Sequence, residues 1–236
     1  MGKIQNSNPK HIAIIPDGNR RWARSKGISI RDGYEAGARK AEDFFEWSII
    51  KYDIPQITLY SLSTENVDKR LIKELGILVD IYERQFYKIA DDDRVHEKKV
   101  KLNFLGELSL LPYKLIKAID YATSTTKNYS NHIVNFLMCY GGRWEIIKAI
   151  KNLFRDSNNF NIDDLTEDTF SKYLIVKGVE PDMVIRTAEK RFSNFLLWQT
   201  AYSEVFFIDK YWPDFMMSDF KNILKEFSSK KRSFGK

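Results

Sequence analysis

The chain is poor in the residues on which several common kinds of site depend. Its single cysteine, Cys139, excludes an intramolecular disulfide and a zinc site built from several cysteines. Its histidines, His11, His96 and His132, lack metal-ligand spacing, and we interpret each as structural. No apolar run reaches the roughly 20 residues needed to cross a bilayer. These absences fit a reducing compartment and predict a cytoplasmic protein, with any membrane contact confined to its surface.

The composition is that of a globular protein with a basic surface. Its 236 residues, 43% of them apolar, suffice for one large α/β domain or two small ones. A net charge of +6 favours anionic ligands or membrane surfaces. A nucleic-acid-binding protein would interleave exposed aromatic residues with Lys and Arg, whereas most aromatics here lie in apolar runs. We therefore predict no nucleic-acid partner.

Short apolar runs alternate with stretches of helical spacing, which predicts an α/β protein. The predicted strands are 11–15, 56–62, 99–105, 131–138, 182–186 and 204–208. Such alternation indicates a single central, mostly parallel sheet of about six strands flanked by helices. The strands on both sides of the Asn-rich loop 156–161 are needed for one sheet, so we predict one domain over 1–236, with flexible tails at 1–10 and 229–236.

Polar clusters follow several of the predicted strands. Asp17 follows the first strand, Ser63 to Asn66 the second and Gly141-Gly142-Arg143 the fourth, while Arg186 ends the fifth. In an open parallel sheet, ligands bind beyond the carboxyl ends of the strands. We therefore expect these clusters to converge on one edge of the sheet.

The cluster after the first strand, Asp17 to Trp22, has the composition of an anion site. Gly18 allows close approach of the backbone, and Arg21 can bind oxygens in a bidentate manner. The alternative is an Asx turn before a helix, with Gly18 as its cap. Such a turn does not need the following pair of arginines, Arg20 and Arg21, so the anion site is favoured.

A second cationic cluster, Arg186, Arg191 and Ser193, precedes the carboxylate Glu204. Isolated arginines are often surface charges, but here two of them lie five residues apart and precede a serine beside the apolar run Phe195 to Trp198. Two cationic pockets, together with Asp17 and Glu204, suggest a pair of phosphorylated substrates and a divalent metal with oxygen ligands.

An apolar stripe on a predicted helix has two interpretations. Its residues recur at alternating steps of three and four: Ile72, Leu75, Val79, Tyr82, Phe86 and Ile89. The stripe either packs into the core or forms one wall of a hydrophobic tunnel. The helix predicted at 35–51 has enough bulky groups for a second apolar surface: Phe44, Phe45, Trp47, Ile49 and Ile50. The sequence does not separate core from tunnel.

Five segments in this order resemble the cis-prenyltransferases, of which undecaprenyl diphosphate synthase is the usual representative. They are His11 to Ala23, Gly33 to Gly37, Leu59 to Asn66, Tyr140 to Trp144, and Asp182 to Glu204 continuing to Trp212-Pro213-Asp214-Phe215. The resemblance implies a homodimer that condenses isopentenyl diphosphate onto an allylic diphosphate, farnesyl or geranylgeranyl diphosphate. The product would be a polyprenyl diphosphate, the precursor of a glycan carrier lipid. The alternative is a non-catalytic subunit of a heteromeric prenyltransferase, which would typically lack the aspartate and arginines retained here.

The resemblance also implies roles for individual residues. Asp17 and Glu204 would hold Mg²⁺, and Asn66 would take part in removing a proton from C2 of isopentenyl diphosphate. Because an amide is a poor base, we interpret Asn66 as an orienting or relay group, with a diphosphate oxygen or Asp17 as the acceptor. The residues expected to bind substrate are Gly18, Asn19, Arg20, Arg21, Trp22, Arg31, Tyr34, Ser63, Thr64, Glu65, Val67, Lys69, Arg186, Arg191, Phe192 and Ser193.

Several positions depart from the family pattern. The family's Gly-His pair is Gly33-Tyr34, and the arginine that usually lies three residues before it is best matched by Arg31. Val67 replaces a usual tryptophan, and Lys69 replaces a usual arginine. The tail Arg232 to Gly235 approximates an Arg-x-Gly tail that reaches the partner's active site in relatives, or is a mobile basic tail.

Overall fold

The computed structural model describes residues 8–64, 72–156 and 162–230. Six strands form one sheet: β1 His11–Ile15, β2 Gln56–Ser63, β3 Val100–Gly106, β4 His132–Tyr140, β5 Met183–Thr187 and β6 Glu204–Ile208. The α-helices are α1 Asn19–Ser25, α2 Ile30–Phe45, α3 Ile72–Ala90, α4 Asp93–Glu97, α5 Tyr113–Thr126, α6 Gly142–Arg155, α7 Glu167–Ser171 and α8 Met217–Ser229. Among the described residues, no helix combines the length and apolar character needed to cross a membrane.

The sheet has the strand order β3-β4-β2-β1-β5-β6, and every neighbouring pair is parallel. The predicted α/β class and the existence of all six strands are confirmed, with boundaries that differ by no more than two residues. β1 lies inside the sheet, and all five of its residues are buried. Because all six strands are parallel, the carboxyl ends of β1, β2, β4 and β5 lie at the same edge of the sheet.

Alternate residues of β1 point to opposite faces of the sheet, as the pleat requires. Ile12 and Ile14 belong to the larger core, which the sheet shares with α2, α3, α5 and α8. Ala13 and Ile15 belong to a smaller core that contains Phe195. Because both faces are covered, β1 is a continuous apolar run rather than an alternating one.

The helix predicted at 35–51 is longer than expected. α2 begins at Ile30, where Ser29 caps it by accepting a hydrogen bond from Asp32 N (3.1 Å), and it continues into a π-helical segment, Glu46–Lys51. Residues near both ends of the described chain are held by hydrogen bonds to the sheet. Lys10 N donates to Asp182 Oδ2 (2.6 Å), and Lys230 Nζ donates to Glu204 Oε2 (2.9 Å). Residues 1–7 and 231–236 lie outside the described residues.

A chain of buried hydrogen bonds crosses the sheet and includes His11. Asn103 Nδ2 donates to Asn135 Oδ1 (3.0 Å), and Asn135 Nδ2 donates to Thr58 Oγ1 (3.0 Å). The Thr58 hydroxyl can then donate to His11 Nε2 (2.8 Å), so His11 Nδ1 donates to Val179 O (2.6 Å). This pattern requires neutral imidazole. The structure confirms that His11 is structural.

We expect His11 to make folding stability fall in mild acid. Burial lowers its pKa to about 4, whereas the unfolded chain has an ordinary value of 6.5. The unfolded state therefore gains a proton first, and stability is lost as pH falls from about 6.5 toward 4. Between pH 7 and pH 4.5, the titration of His11 should reduce the free energy of unfolding by about 2 to 3 kcal/mol. Urea unfolding at both pH values should show that His11→Gln loses less of its free energy of unfolding on acidification than wild type does. Equal losses in the two proteins would contradict the assignment of this pH dependence to His11.

Candidate active site

The backbone of Asp17 is fixed where β1 ends. Asp17 N donates to Thr187 Oγ1 (2.9 Å), and the same hydroxyl donates to Asp17 O (2.8 Å). Trp212 N also donates to Asp17 O (2.9 Å). Strands β1 and β5 and the segment after β6 thus hold this carboxylate at the carboxyl edge of the sheet.

The segment 211–214 packs against the turn from Asp17 to Trp22, which we call the cradle. Gly18 has φ of 106°, and an added Cβ there would lie 2.7 Å from Tyr211 Cδ1, so both the turn and the contact require glycine. Trp22 Nε1 donates to Asp214 Oδ1 (2.8 Å), and Trp212 Nε1 donates to Gly37 O (2.9 Å). The Trp-Pro-Asp segment therefore positions the first turn of α1 relative to α2.

Asp17 pairs with a buried arginine from β5. Arg186 Nη2 donates to Asp17 Oδ2 (2.9 Å), and Arg186 Nη1 donates to Ser193 Oγ (2.7 Å) and to the carbonyl of Arg191. The Arg186 side chain is only 3% exposed, whereas that of Asp17 is 33% exposed. The guanidinium is therefore preorganised by its neighbours, while the carboxylate still reaches the cavity.

Further hydrogen bonds and ion pairs link Ser193 to Arg191, Arg191 to Glu189, Glu189 to Arg21, and Arg21 back to Asp17. Arg191 Nε donates to Ser193 Oγ (3.2 Å), and Arg191 Nη1 donates to Glu189 Oε2 (2.9 Å). Arg21 Nη1 binds Glu189 Oε1 (2.5 Å), and Arg21 Nη2 lies 3.3 Å from Asp17 Oδ1. We call this closed set of six side chains the charged ring: Asp17, Arg21, Arg186, Glu189, Arg191 and Ser193.

The charges of the ring favour the ionised form of Arg21. Burial acts to lower the pKa of Arg21, but the charges of Asp17 and Glu189 outweigh it and raise that pKa above its usual value. Arg21 also lies over the Tyr211 ring, 5.8 Å from its centroid. The arginines remain cationic at any physiological pH, so the ring can exchange its carboxylate partners for phosphate oxygens.

The loop that carries Ser193 is joined to the start of α6. Asn194 accepts hydrogen bonds from Gly142 N through its carbonyl (2.6 Å) and from Arg143 N through Oδ1 (2.9 Å). A Cβ on Gly141 would lie 2.6 Å from Asn194 Nδ2, so this close approach excludes larger residues. Ser193 and Asn194 both have positive φ, which shows that the loop is held in a sparsely populated conformation.

These residues line a polar cavity of about 890 Å³ at the carboxyl edge of the sheet. The convergence predicted from the strand ends is thereby observed, because Arg21 and Arg186 share this cavity. Ser63 also lines the cavity, whereas Thr64 lies beside Gly141. The other lining residues include Gly18, Asn19, Arg20, Arg24, Tyr34, Tyr60, Ser61, Leu78, Tyr82 and Asn194.

A narrow apolar cavity of about 130 Å³ adjoins the polar one between α2, α3 and the sheet. The two share part of their lining: Pro16, Asn19, Tyr34, Ser61, Leu78 and Tyr82. The apolar stripe on α3 contributes both to the core and to the wall of the apolar cavity. Tyr82, Phe86 and Ile89 line the apolar cavity, whereas Val79 packs in the core. The side chain of Ile72 lies outside the described residues.

The bulky residues of the second predicted helix mostly do not form a second apolar surface. Phe45 lines the apolar cavity. Phe44 instead packs against Trp212, with 5.9 Å between ring centroids, and Trp47 packs against Phe215, at 6.2 Å. Of the two interpretations left open by the sequence, core packing therefore holds for most of these side chains, because that face of the helix packs against α8 and the segment before it.

Besides Thr64, three predicted substrate-binding residues do not line the polar cavity. Arg31 lies in the first turn of α2 and bonds Asp80 Oδ2 on α3 (3.3 Å). Trp22 is engaged by Asp214, and Phe192 packs edge to face on Phe207, with 6.5 Å between ring centroids. Glu65, Asn66, Val67 and Lys69, and the tail Arg232 to Gly235, lie outside the described residues.

The structure does not bring Glu204 to Asp17 within one chain. Glu204 is the first residue of β6 and pairs in register with Met183, which in turn pairs with Ile12. Asp17 lies five residues beyond Ile12, roughly 15 Å away along the strand direction. Glu204 instead accepts a hydrogen bond from Lys230. A single ion cannot bind both carboxylates of the same chain in this arrangement.

Sequence analysis missed several residues of the polar cavity. Glu189 joins two arginines of the charged ring, and Arg24 lines the wall formed by α1. Tyr60 donates to Tyr140 O (3.1 Å) and Ser193 O (3.4 Å) from the neighbouring strand. Arg24 could have been found, because it follows Arg20 by four residues on a predicted helix and so shares its face.

Comparison with known proteins agrees with this architecture. Residues 15–235 match a family model described as putative undecaprenyl diphosphate synthase. The chain is 42% identical over 232 residues to a tritrans,polycis-undecaprenyl-diphosphate synthase (geranylgeranyl-diphosphate specific) of Pyrobaculum aerophilum, covering 97% of this chain and 96% of that protein. It is 43% identical to the protein of the same name from Pyrococcus horikoshii, covering 97% of this chain and 87% of that protein.

Two solved structures are similar over nearly their whole length. Lavandulyl diphosphate synthase from Lavandula x intermedia, crystallised with dimethylallyl diphosphate, has a TM-score of 0.87 and 30% identity, covering 97% of this chain and 99% of that chain. A probable undecaprenyl diphosphate synthase from Campylobacter jejuni has a TM-score of 0.79 and 29% identity, covering 98% and 100%.

Proposed function

The chain belongs to the undecaprenyl diphosphate synthase family of cis-prenyltransferases, and we propose that it condenses isopentenyl diphosphate with geranylgeranyl diphosphate to make a polyprenyl diphosphate. The observation that carries the proposal is the charged ring, which borders a polar cavity that opens onto an apolar one. Farnesyl diphosphate is the other primer to be tested. The names of the archaeal relatives favour geranylgeranyl diphosphate.

The proposed reaction breaks the allylic C1–O bond and releases pyrophosphate, which retains the bonding electrons. C4 of isopentenyl diphosphate forms a bond to that C1, and a proton leaves C2 to create the new cis double bond. Arg21 would stabilise charge on the departing pyrophosphate, because it lies beside the cradle at Gly18. Arg186, Arg191 and Ser193 would bind the diphosphate of the second substrate.

The donor set fits Mg²⁺ with one protein carboxylate. Among the described residues, no three His, Cys, Asp or Glu side chains converge on one point. Mg²⁺ commonly uses one or two carboxylates together with water and substrate phosphates, and the partly exposed Asp17 can provide such a ligand. The bound ion would neutralise charge on the leaving pyrophosphate. Glu204 of the same chain is not part of this proposed set, because it lies at the opposite edge of the sheet.

The apolar cavity beside α2 and α3 is the proposed binding site of the growing hydrocarbon chain. Aliphatic and aromatic side chains dominate its lining, and its mouth lies at Asn19 and Tyr34 beside the cradle. An allylic diphosphate could place its head group at α1 and its hydrocarbon chain in this cavity. A long polyprenyl product would suit a lipid that carries glycans and would leave the protein at a membrane surface.

Incubation of the purified protein with labelled isopentenyl diphosphate, Mg²⁺ and separate allylic primers tests the function. We expect incorporation with geranylgeranyl diphosphate and products that chromatography resolves in five-carbon steps. Incorporation with neither geranylgeranyl nor farnesyl diphosphate would contradict the proposal. That outcome would favour the non-catalytic subunit, and co-purification with an active partner chain would then be the next measurement.

We expect Phe136→Ala to lengthen the products. Phe136 and Phe86 both line the apolar cavity, with 5.3 Å between their ring centroids, so removing one ring should extend the space for the chain. Phe104→Ala is the matched control. Phe104 stacks on Phe136 at 5.1 Å but does not line the cavity. Both variants should be destabilised by about 3 to 5 kcal/mol, and equal product lengths in the two would contradict this assignment.

A homodimer is part of the proposal. β6 is an edge strand, and its Phe207 is 38% exposed. Nearby exposed apolar side chains on the 188–203 segment are Leu197 and Tyr202. Such an edge and apolar surface suit a second copy of the chain. Sedimentation equilibrium should give twice the mass of the chain, and a monomer at micromolar concentration would contradict the proposal.

A further inference from the structure

We infer that Arg24 is a further binding residue for the diphosphate of the prenyl-chain substrate. The inference rests on the proposed function, because it assigns Arg24 to that substrate's head group. Five arginines line the polar cavity: Arg20, Arg21, Arg24, Arg186 and Arg191. The family resemblance did not suggest Arg24, which belongs to the last turn of α1.

Arg24 differs from the other four arginines in its pairing. Arg20 lies 3.4 Å from Glu74, Arg21 and Arg186 pair with Asp17, and Arg191 pairs with Glu189. For Arg24, the described part of the chain provides no carboxylate at ion-pair distance. Arg24 is thus a cation that an incoming anion can bind without first displacing a protein carboxylate from it.

The position of Arg24 identifies which diphosphate it would bind. Arg20 and Arg24 are four residues apart on α1, so they lie on one face of the helix. That wall of the polar cavity continues through Tyr34, Leu78 and Tyr82 into the apolar cavity. The substrate whose hydrocarbon occupies the apolar cavity must place its head group on this side. Ser193 and Arg191 lie on the other side, at the end of β5.

Arg84→Gln is the matched control for Arg24→Gln. Arg84 is 55% exposed, bonds Glu35 on α2 and does not line the polar cavity. The substitution therefore removes one exposed guanidinium without changing the lining of the cavity. Arg24→Lys tests whether a cation alone is sufficient at this position.

Steady-state kinetics with each substrate varied in turn test the inference. We expect Arg24→Gln to raise the KM for the allylic diphosphate about 10- to 30-fold, as loss of a charge-assisted hydrogen bond implies. The KM for isopentenyl diphosphate should stay within about twofold, Arg24→Lys should restore part of the loss, and Arg84→Gln should match wild type. A specific effect on the allylic KM would not arise from general damage to the fold.

Calorimetric titration with inorganic pyrophosphate gives a readout that does not require turnover. Arg24→Gln should weaken pyrophosphate binding by a similar factor relative to Arg84→Gln. If wild type makes product but Arg24→Gln and Arg84→Gln have equal allylic KM values, Arg24 is not a binding residue, while the proposed function survives. If wild type is inactive with every primer, the proposed function fails. The pyrophosphate comparison then still decides whether Arg24 binds a diphosphate.

Discussion

Asp17→Asn should reduce kcat about 10²- to 10³-fold, the cost typical of removing one group that stabilises developing charge. Asparagine has nearly the same shape and can still accept a hydrogen bond from Arg186, but it lacks the negative charge proposed to hold Mg²⁺. The variant should also need more Mg²⁺ for half-maximal activity. Asparagine is preferable to alanine, which would leave the buried Arg186 guanidinium without this acceptor.

Asp80→Asn is the control for this charge change. Asp80 is 45% exposed and pairs with Arg31 and Lys114 away from the polar cavity. Its removal should leave kcat within about twofold of wild type, because exposed ion pairs contribute little. Product formation by Asp17→Asn at the wild-type rate and at the same Mg²⁺ concentration would refute the role given to this carboxylate.

Arg186→Lys should raise the KM for isopentenyl diphosphate about 10- to 100-fold, although it preserves the positive charge. One guanidinium nitrogen binds Asp17, and the other binds Ser193 and the Arg191 carbonyl. Lysine presents its donors from a single nitrogen and cannot maintain this spacing. The loop with Arg191 and Ser193 should therefore lose the contact that orients it.

Arg84→Lys provides the matched control. Arg84 is 55% exposed and joins α3 to Glu35 on α2, so its charge serves a surface pair. Both kinetic constants should be close to those of wild type. An Arg186→Lys enzyme with an unchanged KM for isopentenyl diphosphate would show that charge alone, without the fork geometry, is sufficient there.

The sequence predicted the scaffold better than it predicted individual contacts. Continuous apolar runs identified β1 and β5, and the rule that ligands bind at carboxyl strand ends placed Asp17, Arg186 and Ser193 together. The ring partner Glu189 was missed, because an acidic residue between two arginines gives no indication of which one it binds. Its side chain bridges Arg21 and Arg191 only in the folded loop.

Arg31 and Glu204 show where matching a family pattern is insufficient. Arg31 lies one residue from the expected position, which rotates it by about 100° on a helix and directs it toward α3. Glu204 opens β6, so its strand position already placed it at the amino edge of the sheet. The apolar stripe of α3 could not be divided in advance, because core and cavity walls require the same residue types.

Strand order has a consequence for biosynthesis. β1 pairs with β2 on one side and with β5 on the other, although about 170 residues separate β1 from β5 in the sequence. During translation, the edge of β1 that pairs with β5 must therefore remain without that partner while most of the polypeptide emerges from the ribosome. Unpaired strand edges promote association between nascent chains. The cradle is complete only once Trp212 has been synthesised, so fragments that end before it should lack the capacity to bind pyrophosphate.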